Sequence, residues 1–227
     1  MPTIVFASSK GGVGKSTTAL AFSQCLVKQG FSVSLLDADP NAPLTKWAEI
    51  SELPDQMKVI GGLSEENIFE TIDACSEHSN FVVVDLEGSA NLTVSYAITD
   101  ADMVLIPLQG SQLDAAEAAK VIRLIDRTSK QTRRKIPFSA VITRASYIKS
   151  RTNKYIVQQL RDGGVPVLDT EVAERDAFKG IFTYGGFLHD LTPDEVSSPQ
   201  KAIDNMTLLA NEVLSILVAE KEARSNA

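Results

Sequence analysis

With 227 residues, 44% hydrophobic and 22% charged, the chain has the make-up of one soluble globular domain and is short for two. Two cysteines, Cys25 and Cys75, are too few and too far apart for a disulfide framework or a thiolate metal site, and both fall in apolar helical stretches as free thiols. The net charge of −7, taken alone, argues against a nucleic-acid partner.

At the start of the chain the apolar run is about five residues long and follows no basic stretch, so no signal peptide or membrane span is expected there. That run, Thr3–Ser8, reads as a strand feeding directly into Lys10-Gly11-Gly12-Val13-Gly14-Lys15-Ser16 and then into a helix over about 15–29. Strand, glycine loop and helix in that order are the context of a P-loop. Gly11, Gly12 and Gly14 permit backbone conformations and close approaches that a Cβ would block. Their amides, with those opening the helix, converge on phosphate oxygens. In such a loop Lys15 reaches the β- and γ-phosphates and the Ser16 hydroxyl ligates Mg²⁺; Thr17 is placed to touch the α-phosphate. ATP with Mg²⁺ is the expected ligand. The strict pattern asks for glycine at position 9, where Ser9 stands.

A second strand, Phe31–Leu36, runs into Asp37-Ala38-Asp39-Pro40. Asp37 and Asp39 are two apart, so on extended backbone they face one side. They lie just past a strand's carboxyl end, where open α/β sheets bind ligands; capping a turn or helix is the other reading of such acids. Met57–Ile60 is a third strand and about 64–78 a helix. Phe81–Val84 then runs apolar into Asp85, a buried carboxylate that is costly unless a hydrated Mg²⁺ compensates it. Further strands are read at Met103–Pro107, Phe138–Thr143 and Val165–Leu168, and helices at about 111–129 and 150–162. A last helix, about 199–221, carries Ala202, Met206, Leu209, Val213, Ile216 and Leu217 at helical spacing, which predicts docking on the domain, with a frayed polar tail from Lys221. Apolar strands separated by helices indicate an α/β fold of three layers in one domain over 1–227. Its mostly parallel sheet of about seven or eight strands would be covered by helices on both faces.

Charge is unevenly spread. From Lys120 to Arg161 there are twelve Lys and Arg against the single acid Asp126, a local charge of +11, while the remainder carries −18. An electrostatic footprint is therefore open to the chain despite its acidic total.

A loop reading Lys10-Gly11-Gly12-Val13-Gly14-Lys15-Ser16, with a leading lysine and no earlier glycine, resembles the deviant Walker A box of the ParA/MinD family of P-loop ATPases. Asp37-Ala38-Asp39-Pro40 is similar to that family's switch I. Phe81–Asp85 resembles its Walker B strand, and Leu86-Glu87-Gly88-Ser89 stands at switch II. Val141–Thr143, Ser150-Arg151-Thr152-Asn153 and Val165-Pro166-Val167 are similar to the ParA branch. After Pro40, Asn41-Ala42-Pro43-Leu44-Thr45-Lys46-Trp47 replaces the usual glutamine-glycine run and looks more like the ParA-like proteins of DNA-transfer systems.

The resemblance implies a slow ATPase that closes into a homodimer around ATP, with Lys10 reaching the partner's phosphates and Lys15 acting in cis. Asp39 would position or activate the attacking water, and Asp37 and Asp85 would hold Mg²⁺ through its water shell. It also implies non-specific DNA binding through late basic residues, here Lys149, Arg151, Lys154 and Arg161. A ParB-like or other partner would stimulate hydrolysis, and the protein would be cytoplasmic and nucleoid-associated. Arg144 is a candidate neighbour of the adenine. No helix-turn-helix arm is read before the loop, so operator binding is not expected. A MinD-like membrane role is disfavoured by the polar end Val218–Ala227. A metabolic ATP-dependent enzyme on the same fold is the other alternative, and one that would not need Lys10.

Overall fold

In a computed structural model of the chain, residues 1–88, 92–146 and 151–225 are described. Six strands form one sheet: β1 (Thr3–Phe6), β2 (Val33–Ala38), β3 (Met57–Ile60), β4 (Phe81–Leu86), β5 (Met103–Leu108) and β6 (Phe138–Ile142). Their order is β3-β2-β4-β1-β5-β6, and every pairing is parallel. The connecting helices are α1 (Lys15–Lys28), α2 (Pro43–Glu49), α3 (Ile68–Ser76), α4 (Leu92–Asp100), α5 (Gln112–Thr132), α6 (Arg151–Asp162), α7 (Ala177–Tyr184) and α8 (Pro199–Ser225).

The sheet has six strands rather than seven or eight. The run Val165–Leu168 contributes only an isolated bridge between Val167 and Ala140. Pro166 has no N–H to donate, so contact with β6 is reduced to Ala140 N–H donating to the Pro166 carbonyl and Leu168 N–H donating to Ala140. The segment still covers the β6 edge, which would otherwise present open hydrogen-bonding groups.

Parallel strands buried on both faces need apolar side chains in both directions. Ile4 and Phe6 of β1 enter one core with α1, α2, α7 and α8, while Val5 enters a second core with α3, α4, α5 and α6. Cys25 and Cys75 are buried free thiols, one in each core. Helix α8 lays Ala202, Met206, Leu209, Ala210 and Val213 into the first core, with Ile216 and Leu217 partly buried beside them. It is long and apolar enough to cross a membrane by length and composition, with 28% of that apolar stretch buried in the fold and Leu208 and Val218 exposed. It also runs on to Ser225, past the point where a frayed tail is expected. Arg224 Nη1 meets Asp102 Oδ1 at 3.0 Å, and Met1, Pro2, Leu217 and Lys221 line one groove at the amino end of β1.

Since β1 lies between β4 and β5, the loop that follows it rises from the middle of the sheet's carboxyl edge, with β4 and then β2 on one side. That order sets Lys15, Asp85, Asp37 and Asp39 around one point.

Candidate nucleotide-binding site

The loop after β1 ends on Gly14, whose φ of 90° lies in the left-handed region, as does that of Gly12 at 75°. Helix α1 opens from Gly14 with no side-chain cap and no acid in its first turn, so its first amides remain available to an anion. The loop's carbonyls are held from outside. Gln109 Nε2 and Arg144 Nη1 donate to the Gly12 carbonyl at 3.0 and 3.1 Å, and the Thr143 hydroxyl donates to that of Val13, whose side chain is buried. A cavity of about 360 Å³ opens over the loop. Lys10, Gly11, Gly12, Gly14, Lys15, Ser16, Thr17 and Asp39 line one end; Thr143, Arg144, Glu174, Arg175 and Phe178 line the other.

Lys15 is buried, and its Nζ lies 2.7 Å from Asp85 Oδ1 and 4.0 Å from Asp39 Oδ2. Asp85 is fully buried, and its Oδ2 has no hydrogen-bond partner among the described residues. Burial pushes its carboxyl up to about 6; Lys15 and the nearby Ser16 hydroxyl pull against that shift, and Asp37 adds to it. Asp37 lies directly across from Asp85 in the β2–β4 register. Its Oδ2 accepts from the amides of Leu44 and Thr45, at 2.9 and 2.8 Å, and from the Thr45 hydroxyl, so it caps α2. Among the described residues its Oδ1 receives only a long 3.4 Å bond from the Asp39 amide. Asp39 Oδ1 accepts from the Asn41 amide and side chain, leaving Oδ2 turned toward Lys15.

Asp85 Oδ2, Asp37 Oδ1 and the Ser16 hydroxyl make an all-oxygen donor set that suits a hard cation. Among the described residues no group of three or more His, Cys, Asp or Glu could cage a metal. These three oxygens could hold Mg²⁺ only together with water or other ligands.

Lys10 does not point at the phosphate loop. Its half-exposed Nζ bonds Asp114 Oδ1 at 2.6 Å, and Ser9 Oγ bonds both the carbonyl and Oε2 of Glu117 at 2.8 Å. Both acids stand in the first turns of α5, where Asp114 also completes a capping box with Ser111. Burial raises the Asp114 carboxyl, but bonds from Lys10 and Ser111 outweigh it and leave the group below its usual range. Neither acid was singled out from the sequence. The Ser111-to-Asp114 spacing marks a helix start there, but not the lysine that would meet it.

At the far end of the cavity Arg144, with a left-handed φ of 50°, pairs with Glu174 at 3.2 Å. Arg175 Nε is buried without a partner among the described residues; Glu174 and Arg175 were also not singled out. The four basic residues expected to meet DNA are not gathered at this site. Arg151 and Lys154 are exposed on α6, Arg161 bonds Asp169 Oδ1 at 2.6 Å, and Lys149 lies outside the described residues.

A family model described as VirC1 protein matches residues 1–219. Protein ParA of Rhizobium radiobacter is 38% identical over 211 residues, covering 92% of this chain and 95% of the relative. Protein virC1 of Rhizobium rhizogenes is 27% identical over 194 residues, 83% of each chain. Solved structures of Cyanothece McdA, one apo and one in an ATP complex, share the fold. Their TM-scores are 0.71 and 0.72 at 17% and 18% identity, over 91% of this chain and 99% and 96% of theirs.

Proposed function

The chain belongs to the VirC1 family, within the ParA/MinD group of P-loop proteins, and on that premise we propose that it is an ATPase whose ATP-bound dimer holds DNA. Such a dimer would position a plasmid, a DNA-transfer complex or another cargo in the cytoplasm, associated with the nucleoid. A ParB-like or other partner protein would stimulate hydrolysis and release. The observation that carries this reading is the uncapped α1 start and the buried Lys15 on one cavity, with Lys15 paired behind it to Asp85, whose Oδ2 has no partner among the described residues.

The amides of Gly11, Gly12, Val13 and Gly14 cradle the phosphates, Lys15 neutralises them, and Thr17 reaches the α-phosphate. Mg²⁺, when bound, supplies charge neutralisation across the phosphoryl oxygens. Ser16, Asp37 and Asp85 are the residues that would hold it, the two carboxylates through its water shell. Lys15 must then exchange Asp85 for phosphate, which removes the ion pair that now offsets the burial of both groups. Asp39 Oδ2, free of the turn that occupies Oδ1, orients the attacking water. Lys10 leaves Asp114 and completes the partner's site, adding positive charge where it develops in the transition state. Lys149, Arg151, Lys154 and Arg161 contribute contacts to DNA phosphates that are independent of sequence.

The test is binding to a non-specific duplex with ATP, with ADP and without nucleotide across a salt series. The expected result is ATP-dependent binding that weakens steeply with salt; binding absent in every state, or indifferent to nucleotide, overturns the positioning role. Lys10→Ala separates this reading from a metabolic enzyme acting within one subunit. A sandwich dimer loses turnover, whereas such an enzyme keeps it.

A further inference from the structure

Helix α5 buries Asp114, Ala118, Val121, Ile125 and Thr128, one continuous stripe at spacings of three and four. On its solvent side Lys120, Arg123, Arg127 and Lys130 recur at the same spacings, and all four are exposed. At 1.5 Å per residue that line is ~15 Å long, the length over which one strand of a duplex presents about four phosphates.

Four of the eight other cations of the basic segment have partners, while Arg133, Arg151 and Lys154 are exposed. Arg134 donates to the carbonyls of Thr99 and Ala101, and Lys135 pairs with Glu220. Arg144 pairs with Glu174, and Arg161 is neutralised by Asp169. On α5, Lys120 pairs with Glu117, but Arg123, Arg127 and Lys130 form no ion pair among the described residues. Like charges one turn apart disfavour a helix, and Asp126, spaced to meet Arg123 and Lys130, is the one acid set to offset them within the row.

We infer that the outer face of α5, centred on Arg123, Arg127 and Lys130, binds the phosphate backbone of duplex nucleic acid. The inference rests on the DNA-binding reading above and moves the main contact from α6 to α5. A bilayer is the poorer match. On α5 one large apolar side chain is exposed, Leu113, two turns before Lys120 on the same face, whereas helices that lie on membranes set several bulky apolar residues beside their cations. A protein partner is poorer for the same reason, since interface anchors are typically aromatic and lysine is depleted there.

The experiment measures binding of the full chain, with ATP and Mg²⁺, to a labelled duplex of arbitrary sequence over a salt series. Wild type is compared with R123A/R127A/K130A and with R151A/K154A. The α5 triple variant is expected to lose at least about tenfold in affinity at moderate salt, and its log–log salt slope to become shallower by roughly 2–3. R151A/K154A should lose less. Alanine is a strong helix former, so the triple variant keeps its fold and its DNA-free ATPase rate, checked by thermal melt and turnover. A triple variant that binds with wild-type affinity and slope, while wild type binds, overturns the α5 site alone. Wild type failing to bind the duplex in any nucleotide state overturns the DNA reading and this site together. Capture of wild type, but not the triple variant, by phosphatidylglycerol vesicles in place of the duplex overturns it in favour of a membrane surface.

Discussion

Asp85 holds its carboxyl inside the protein with one oxygen on Lys15 and the other without a partner among the described residues. Because burial raises its pKa to about 6, the folded chain binds this proton more tightly than the unfolded chain does. The stability from that proton is fully present below about pH 4 and is lost as pH rises through about 6. Chemical denaturation without nucleotide should show this loss in wild type between pH 4.5 and 7, and Asp85→Asn should flatten it. Asp114 has the opposite sign: its lowered pKa contributes stability above the ordinary carboxylate range that disappears on further acidification. Of these two acids only Asp85 was legible in the sequence, because an aspartate ending an apolar strand marks a ligand position by itself. Asp114 acquires its meaning from Lys10, 104 residues away, and no local pattern carries a contact of that span.

At the scale of elements, α2 depends on an acid outside it. Its left-handed N-cap, Ala42, offers no side-chain bond, and Asp37 at the end of β2 supplies the cap instead. Asp37→Ala should therefore destabilise the protein by about 1–3 kcal/mol, read from urea unfolding, because it leaves the amides of Leu44 and Thr45 without acceptors. The same substitution would withdraw a proposed Mg²⁺ donor, so nucleotide affinity and stability fall together. The long strands and helices of the sheet were readable from apolar runs and helical spacing. The short helices α2, α4 and α7 were not. The first takes its cap from seven residues upstream, α4 is rich in β-branched residues, and α7 is aromatic with Gly180 inside it. The run at 165–168 misled in the other direction, since its composition suits a strand but Pro166 and the bend beyond it limit pairing to one bridge.

For the whole molecule, the contact between Lys10 and Asp114 opposes assembly if Lys10 must serve a second subunit. Asp114→Asn keeps oxygen available to the Ser111 amide but removes the charge that holds the lysine. With ATP and Mg²⁺, this variant should show a larger dimer fraction than wild type by light scattering after size exclusion. Lys10→Ala should not gain turnover from it. An unchanged monomer–dimer balance in Asp114→Asn would mean that the lysine is not restrained by this pair.

Residues 1 and 2 share their groove with Leu217, Lys221 and Arg224 at the amino end of β1, while the phosphate loop rises from the strand's other end. The sheet thus separates residues 1–2 and 217–224 from the face on which nucleotide and a second subunit would meet. A fluorescent reporter joined next to Pro2 or Arg224 would emerge on the remote side. Its glow in living cells should then track the native protein's movements without wedging the two halves apart.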